Sequence, residues 1–205
     1  MLDHKGFDLW ADGYDLSVGI SDEENTYPFA GYKEILGSIF QTIVENGNAV
    51  VLDIGFGTGT LTTKLYENGC TIYGQDFSER MIELASEKMP GAHLYQGDFS
   101  QGLVDALRGR TYDFIVAAYS LHHLTDEQKT GFIRSLLDHL TERGKILIGD
   151  VAFTTREEMD QCRLEAGGEW DDEESYFVID EMKQVFPKLR YRAVSYCSGI
   201  LTLSK

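Results

Sequence analysis

Three glycines follow an acid in residues 49–61, which read Ala-Val-Val-Leu-Asp-Ile-Gly-Phe-Gly-Thr-Gly-Thr-Leu. The β-branched apolar run at the start predicts a buried strand that ends near Asp53, and a helical pattern follows the glycines. Gly55, Gly57 and Gly59 lie on alternate positions between the two. A strand, a glycine-rich turn and a helix in this order allow backbone to approach a nucleotide-like ligand closely. The turn is therefore predicted to bind such a ligand.

Ligands that present a phosphate fit this turn poorly. A dinucleotide-binding turn has glycines at its first, third and sixth positions, and the sixth position counted from Gly55 holds Thr60. A carboxylate at Asp53 would also repel a pyrophosphate. A P-loop is excluded more firmly, because no Gly-Lys-Ser or Gly-Lys-Thr follows the glycines. An NAD-dependent oxidoreductase remains an alternative with a partial fit.

Acids also stand at the ends of the next two predicted strands. Asp76 ends the second strand, where a carboxylate accepts hydrogen bonds from both hydroxyls of a ribose. Asp98 ends the third strand and could accept a hydrogen bond from an adenine amine. Asp53 suits a cationic or zwitterionic group. S-adenosylmethionine carries an ammonium, a sulfonium and a ribose, so it fits the charge pattern of these three strand ends.

Four motifs, in this order, resemble a known family. They are residues 51–59 (Val-Leu-Asp-Ile-Gly-Phe-Gly-Thr-Gly), 73–78 (Tyr-Gly-Gln-Asp-Phe-Ser), 96–98 (Gln-Gly-Asp) and 118–124 (Ala-Tyr-Ser-Leu-His-His-Leu). Together they resemble the class I S-adenosylmethionine-dependent methyltransferases, over residues 8–152 and the end of the chain. The resemblance implies a methyltransferase that uses S-adenosyl-L-methionine as its cofactor.

The resemblance also implies a role for each matching position. Gly55 and Gly57 would pass under the methionine portion of the cofactor, with Gly59 in the same binding turn. Asp53 would orient the methionine portion, and Asp76 would hold the ribose. The adenine and the sulfonium side of the cofactor would be bordered by Phe77, Met81, Asp98, Phe99, Ala118 and Tyr119.

The beginning of the chain adds two aromatic candidates. Trp10 and Tyr14 lie in Trp-Ala-Asp-Gly-Tyr-Asp, which resembles the Trp-Ala-x-x-Tyr-Asp opening of many small-molecule members of the family. The resemblance implies that these two side chains help to close the cofactor pocket. If the methyl acceptor arrives protonated, the candidate proton acceptors are Tyr14, His122 and His123, in that order.

His122 and His123 are adjacent, so their side chains are expected to point in different directions. A structural or pocket-lining role is therefore favoured over direct proton transfer. Asp150, at the end of the fifth predicted strand, could join them as a metal ligand, but capping of the sheet is favoured. No metal site is predicted.

The charge of the chain limits its partners. Its 205 residues carry a formal net charge of -16, which argues against nucleic acid and against an anionic membrane surface. No Asn-Pro-Pro-Tyr follows the fourth predicted strand, where family members that methylate nucleic-acid amino groups carry it. We expect a small-molecule methyl acceptor, with a protein side chain as the other option, and a monomer or homodimer.

The cysteines indicate the compartment. Cys70, Cys162 and Cys197 are odd in number and have no metal-ligand spacing, so they are expected to be reduced thiols. The first residues lack the apolar core of a signal peptide, and no apolar run reaches the ~20 residues of a membrane span. These features predict a cytoplasmic protein.

The elements that position these residues alternate between strand and helix. After the glycine turn, strands are predicted at residues 70–74, 92–95, 112–119, 145–151, 191–196 and 200–203. Alternation of this kind indicates an α/β fold with a doubly wound, mostly parallel, seven-stranded Rossmann-like sheet and helices on both faces. The short connection between the last two strands predicts a C-terminal antiparallel hairpin.

One domain, residues 1–205, is expected. Residues 1–48 would form an N-terminal segment and covering helix, 49–152 the cofactor-binding core, 153–187 an acidic helical insert and 188–205 the hairpin. Residues 153–174 hold nine acids against two arginines, which favours a solvated face; a lid over the acceptor is the alternative. A non-catalytic module that senses cofactor or binds a protein through residues 153–186 is a further alternative function.

Overall fold

An eight-stranded sheet runs through the part of the chain that the structure, a computed structural model, describes, residues 25–205. The strands are β1 (Val50–Ile54), β2 (Thr71–Asp76), β3 (His93–Gln96), β4 (Tyr112–Ala118), β5 (Leu140–Phe153), β6 (Phe177–Val178), β7 (Arg190–Ala193) and β8 (Ser198–Leu203). The helices are α1 (Tyr32–Val44), α2 (Thr60–Glu67), α3 (Glu79–Lys88), α4 (Asp105–Arg108), α5 (Asp126–Asp138), α6 (Arg156–Ala166) and α7 (Ile179–Val185). Single 3-10 turns lie at Phe99–Gln101, Leu121–His123 and Gly167–Glu169.

Seven strands follow the order β3-β2-β1-β4-β5-β8-β7, and β6 pairs with the end of β5. Neighbours among β1 to β5 are parallel, whereas β8 is antiparallel to both β5 and β7. The predicted doubly wound, mostly parallel sheet with a terminal antiparallel hairpin is confirmed. The two-residue β6 is an eighth strand that the sequence did not predict.

The order of the strands reverses between β1 and β4. After β1 the chain adds β2 and β3 on one side, and then returns to place β4 on the other side of β1. The connections from β1 therefore leave a crevice outside the carboxyl ends of β1 and β4. In open α/β sheets, ligands bind in this crevice.

Successive residues of β1 face opposite sides of the sheet, and both sides are covered. Val51 lies in a buried cluster with Ile35 and Ile39 of α1, whereas Leu52 lies in a separate cluster with Ile133 of α5. All five side chains are at most 1% exposed. The strand is thus buried on both faces, as its uninterrupted apolar sequence predicts.

The fifth strand is longer than the predicted residues 145–151. Leu140 already pairs with Tyr112, and the register shifts before Lys145 pairs with Phe114, so the intervening residues form a bulge. Gly144 lies in this bulge, where a Cβ would come within 2.9 Å of the Tyr112 carbonyl oxygen. The glycine therefore permits a close backbone approach inside the strand, which begins before the predicted residue 145.

The acidic segment after β5 is less helical than predicted. α6 ends at Ala166, because Gly167 adopts a φ of +54° and the chain then passes into a 3-10 turn. The predicted helical insert resumes as helix only at Ile179, since Phe177 and Val178 are buried and pair with Ala152 and Phe153. The segment from 167 to 176 thus runs as an irregular strap beside the carboxyl ends of the strands.

Candidate active site

A cavity of about 380 Å³ opens at the carboxyl ends of β1, β2 and β4, within the size range of small-molecule sites. The structure brings most of the sequence-predicted site residues to its wall. These are Asp53, Gly55, Gly57, Asp76, Phe77, Met81, Phe99, Ala118, Tyr119, His122 and His123.

Two predicted residues do not line the cavity. Gly59 has a φ of +79° and begins α2, where an added Cβ would meet the Met89 side chain at 3.1 Å. Asp98 is exposed and caps the 3-10 turn at Phe99–Gln101 by accepting a hydrogen bond from the Ser100 N–H at 2.8 Å. Trp10 and Tyr14 lie outside the described residues.

Asp53 is a buried carboxylate at the end of β1. Its side chain is 2% exposed, Oδ2 accepts a hydrogen bond from the Thr62 hydroxyl, and Oδ1 has no hydrogen-bond partner within residues 25–205. Burial raises the pKa of Asp53 to about 7; the Thr62 hydrogen bond opposes this rise and the charge of Asp76 adds to it. The site therefore holds a buried acid, and one of its carboxylate oxygens has no hydrogen-bond donor within residues 25–205.

Asp76 fixes the glycine turn to the end of β2. Its Oδ2 accepts a hydrogen bond from the Gly57 N–H at 2.9 Å, and its Oδ1 accepts one from the Ser78 N–H at 3.0 Å. These two bonds hold the carboxylate at the wall of the cavity, where Asp76 is one of the lining residues.

The glycine turn needs glycine for two different reasons. Gly55 has a φ of +67°, and an added Cβ would lie 2.5 Å from the Cβ of Ser120. Gly57 has a φ of +55°, but an added Cβ would meet nothing within 4 Å. The first glycine is therefore required by close packing and by backbone conformation, and the second by conformation alone.

The end of β4 is bent toward the cavity. Tyr119 has a φ of +52°, a rare conformation for a bulky residue that the surrounding structure must hold in place. Its N–H donates to the Gly149 carbonyl at 2.8 Å, and the Ser120 hydroxyl donates to the Ile54 carbonyl at 2.8 Å. These bonds connect β1, β4 and β5 immediately below the cavity floor.

His122 is oriented by Asp150, which follows the last residue of β5 that pairs with β4. The His122 Nδ1 lies 2.6 Å from Asp150 Oδ1, so Nδ1 carries the proton toward the carboxylate and Nε2 faces the cavity. Burial opposes a charge on this imidazole, but Asp150 and Glu174 outweigh burial and raise the pKa of His122. Burial and the neighbouring His122 lower the pKa of His123 to about 2.

Glu174 stands between the two histidines. Its Oε1 lies 3.5 Å from His122 Nε2 and 3.6 Å from His123 Nδ1, and its Oε2 accepts a hydrogen bond from the Tyr176 hydroxyl at 2.8 Å. The Ser175 N–H donates to the His122 carbonyl at 2.9 Å, which ties the strap to the histidine turn. Glu174 is thus a site residue supplied by the acidic segment.

Tyr27 lines the cavity and packs against two further aromatic side chains, Trp170 and Tyr176. The Tyr27 ring stacks on Trp170 with centroids 5.1 Å apart, and its hydroxyl contacts that of Tyr176. Trp170 in turn meets the Tyr176 ring edge-on at 4.9 Å. Sequence reasoning missed Tyr27, Glu174 and Tyr176. The lid alternative for residues 153–187 was a signal for the last two, but it names no single residue, and Tyr27 had no signal.

Among residues 25–205, no helix is both long enough and apolar enough to cross a bilayer.

Comparison with known proteins decides the family. Residues 51–144 match the methyltransferase-domain family. An uncharacterized methyltransferase of Anoxybacillus flavithermus is 41% identical over 160 residues, which cover 78% of this chain and 72% of that protein. The chain belongs to the class I S-adenosylmethionine-dependent methyltransferases. A second uncharacterized methyltransferase, from Geobacillus kaustophilus, is 36% identical to this methyltransferase over 195 residues, 91% of this chain and 87% of the relative.

A solved structure shows the same fold. The magnesium protoporphyrin IX methyltransferase of Synechocystis PCC 6803, solved with bound SAH, superimposes on the methyltransferase with a TM-score of 0.66. The match covers 85% of this chain and 83% of that chain at 19% identity. The predicted fold, enzyme class and S-adenosylmethionine dependence are thereby confirmed, and the NAD-dependent alternative is set aside.

Proposed function

We propose that the cavity binds S-adenosylmethionine at its glycine-turn end and that the methyl group passes by in-line displacement to a small molecule at its histidine end. The observation that carries this proposal is the buried Asp53 carboxylate, whose Oδ1 lacks a partner within the described residues and borders the cavity. An unpartnered buried carboxylate is costly, so a ligand ammonium beside it would remove that cost.

The other cofactor contacts follow from the same wall. Asp76 would accept hydrogen bonds from the ribose hydroxyls while it keeps the two backbone donors that hold the glycine turn. Phe77, Met81 and Phe99 supply apolar surface for the adenine. Gly55 and Gly57 leave space for the methionine portion, and the backbone of Ala118 and Tyr119 would border the sulfonium. A protein of the same fold was solved with bound SAH, which supports the choice of ligand.

The protein's part in the reaction is alignment and exclusion of water. Bound S-adenosylmethionine supplies an electrophilic methyl group, which needs little further activation. Tyr27 lines the cavity and stacks on Trp170, and the hydrogen bonds of Tyr119 and Ser120 hold the strand end beside the reacting centre. A fixed donor and acceptor geometry in a water-poor cavity lowers the barrier chiefly through orientation.

The acceptor end has the size and charge of a small-molecule site. Glu169, Asp171 and Glu174 of the strap line it together with His122 and His123. We infer that the strap within residues 153–187 acts as the lid over the acceptor. The cavity beneath this lid has room for a metabolite. The negative charge of the lid disfavours the phosphate backbone of a nucleic acid.

The three cysteines are free and buried. Unpaired thiols support a reducing compartment, so we infer a cytoplasmic enzyme.

The decisive experiment for the acceptor uses isotope-labelled S-adenosylmethionine. The protein is incubated with the labelled cofactor and fractionated cytosolic metabolites, and the label is followed into small-molecule, protein and nucleic-acid fractions. Label in a small-molecule fraction is expected. Transfer confined to protein or nucleic acid would contradict the proposed acceptor class.

A further inference from the structure

The histidine end of the cavity contains three ligand atoms that no step of cofactor binding uses. His122, His123 and Glu174 each offer one ligand atom, and these atoms all lie within 4.8 Å of one another. They come from two elements, the turn after β4 and the strap, that meet only in the folded chain. All three residues also line the cavity.

The distances favour a shared ion over a direct ion pair. Glu174 Oε1 is 3.5 Å from one imidazole nitrogen and 3.6 Å from the other, beyond the ~2.7–2.9 Å of a charge-assisted hydrogen bond. Two ligands of a tetrahedral metal at ~2.0–2.2 Å each are about 3.3–3.6 Å apart. A carboxylate held between two nitrogens at that spacing leaves space for a cation among them.

The groups behind the three ligands are those that support metal ligation. Asp150 holds the Nδ1–H of His122 at 2.6 Å and so presents the lone pair of Nε2 to the cavity. The Tyr176 hydroxyl donates to Glu174 Oε2 at 2.8 Å and so presents Oε1. Ligating histidines and carboxylates in metalloproteins are oriented by such outer hydrogen bonds.

The negative charges of Asp150 and Glu174 also favour a bound cation. Asp150 is fully buried, one of its oxygens has no hydrogen-bond partner within residues 25–205, and Glu174 is only 20% exposed at the side chain. Among residues 25–205, the ammonium of Lys129 acts on His122, but it already bonds to Asp126 and to the Ser175 carbonyl. Two poorly hydrated carboxylates are compensated more fully by a divalent cation than by a single protonated imidazole.

We propose that His122, His123 and Glu174 form a divalent transition-metal site with an open position toward the methyl acceptor. Two imidazoles and one carboxylate suit Zn²⁺, Fe²⁺, Mn²⁺ or Co²⁺. Such a site would bind a methyl acceptor with a hydroxyl or a thiol group. This substrate class rests on the proposed function. The oxygen or sulfur of the acceptor binds the cation, its proton leaves to solvent, and the resulting anion is the nucleophile.

The test is a calorimetric titration of untagged, chelator-treated protein with Co²⁺, with the visible spectrum recorded in parallel. One ion per chain and a ligand-field band are expected. Glu174→Gln and His123→Asn should each weaken binding at least tenfold, and Asp150→Asn should do so by about 10- to 100-fold as a positioning residue. Glu165→Gln is the matched control, since it removes the same charge from an exposed position of α6 that does not line the cavity and should leave the Co²⁺ affinity unchanged.

The outcomes separate this site from the proposed function. Absence of saturable binding, or equal affinity in all variants with the fold intact by circular dichroism, would overturn the metal site and leave His122 as the direct proton acceptor. SAH is titrated into the same metal-free protein. A protein that binds SAH but does not bind Co²⁺ contradicts only the metal site. A protein that binds Co²⁺ but does not bind SAH contradicts only the proposed cofactor placement.

Discussion

The ionisation of Asp53 connects the site to the stability of the whole chain. Its folded pKa, about 7, lies above the ordinary value of 3.8, so between these values the folded protein keeps a proton that the unfolded chain has lost. The free energy of unfolding of the ligand-free enzyme should therefore fall as pH rises through this window and level off above it. Asp53→Asn should flatten that slope, as measured by urea unfolding at a series of pH values.

Cofactor binding should show the opposite dependence on pH. An ammonium beside Asp53 prefers the ionised carboxylate, so the affinity for SAH should rise from pH 5.5 toward neutral pH, and binding should release a proton. Calorimetry in buffers of different ionisation enthalpy measures that proton. A pH-independent affinity, equal in wild type and Asp53→Asn, would contradict the contact between Asp53 and the ligand.

The glycine turn offers a pair of matched substitutions. Gly55→Ala meets both a positive φ and a Cβ contact at 2.5 Å, whereas Gly57→Ala meets only the positive φ. We expect losses in the free energy of unfolding of about 2–4 kcal/mol for Gly55→Ala and about 1–2 kcal/mol for Gly57→Ala. Thermal denaturation of both variants measures the difference; equal losses would show that close packing at Ser120 is unimportant.

At the scale of elements, the strap depends on Lys129. This lysine is completely buried in α5, bonds to Asp126 at 3.0 Å and to the Ser175 carbonyl, and lies 4.8 Å over the Phe177 ring. Lys129→Met would keep the apolar stem and leave the Ser175 carbonyl without its donor. We expect a loss of about 1–3 kcal/mol in the free energy of unfolding.

Hydrogen exchange locates that effect. Amides of residues 174–178 should lose protection in Lys129→Met, and those of β1 should change only with global stability. Lys64→Met, on an exposed face of α2, is the control and should leave the strap unchanged. Unaltered protection of the strap in Lys129→Met would show that other contacts hold it.

The elements that the sequence predicted well are those with local signals. Ser78 caps α3 by accepting a hydrogen bond from the Met81 N–H, and Thr125 and Gln128 form a capping box at the start of α5. Apolar runs predicted β1 and β4, because both faces of these strands are buried. β6 has two residues and no alternation, and it is a strand only because the end of β5 lies beside it.

At the scale of the whole molecule, the topology explains why much of the site was predictable. Parallel strands end at one edge of the sheet, so Asp53, Asp76 and the residues after β4 had to meet once the strand order was known. Tyr27 and Glu174 lie far away in sequence, and they reach the cavity through packing of the strap. No local pattern could place them.

We propose that the glycine-turn end of the cavity binds S-adenosylmethionine through Asp76. Calorimetric titration of SAH into wild type and Asp76→Ala tests it most directly, with circular dichroism to confirm that the variant is folded. We expect the dissociation constant to rise at least tenfold, about 1.4 kcal/mol, for the loss of a charge-assisted hydrogen bond to the ribose. An unchanged dissociation constant in the folded variant would contradict the proposed contact between Asp76 and the cofactor.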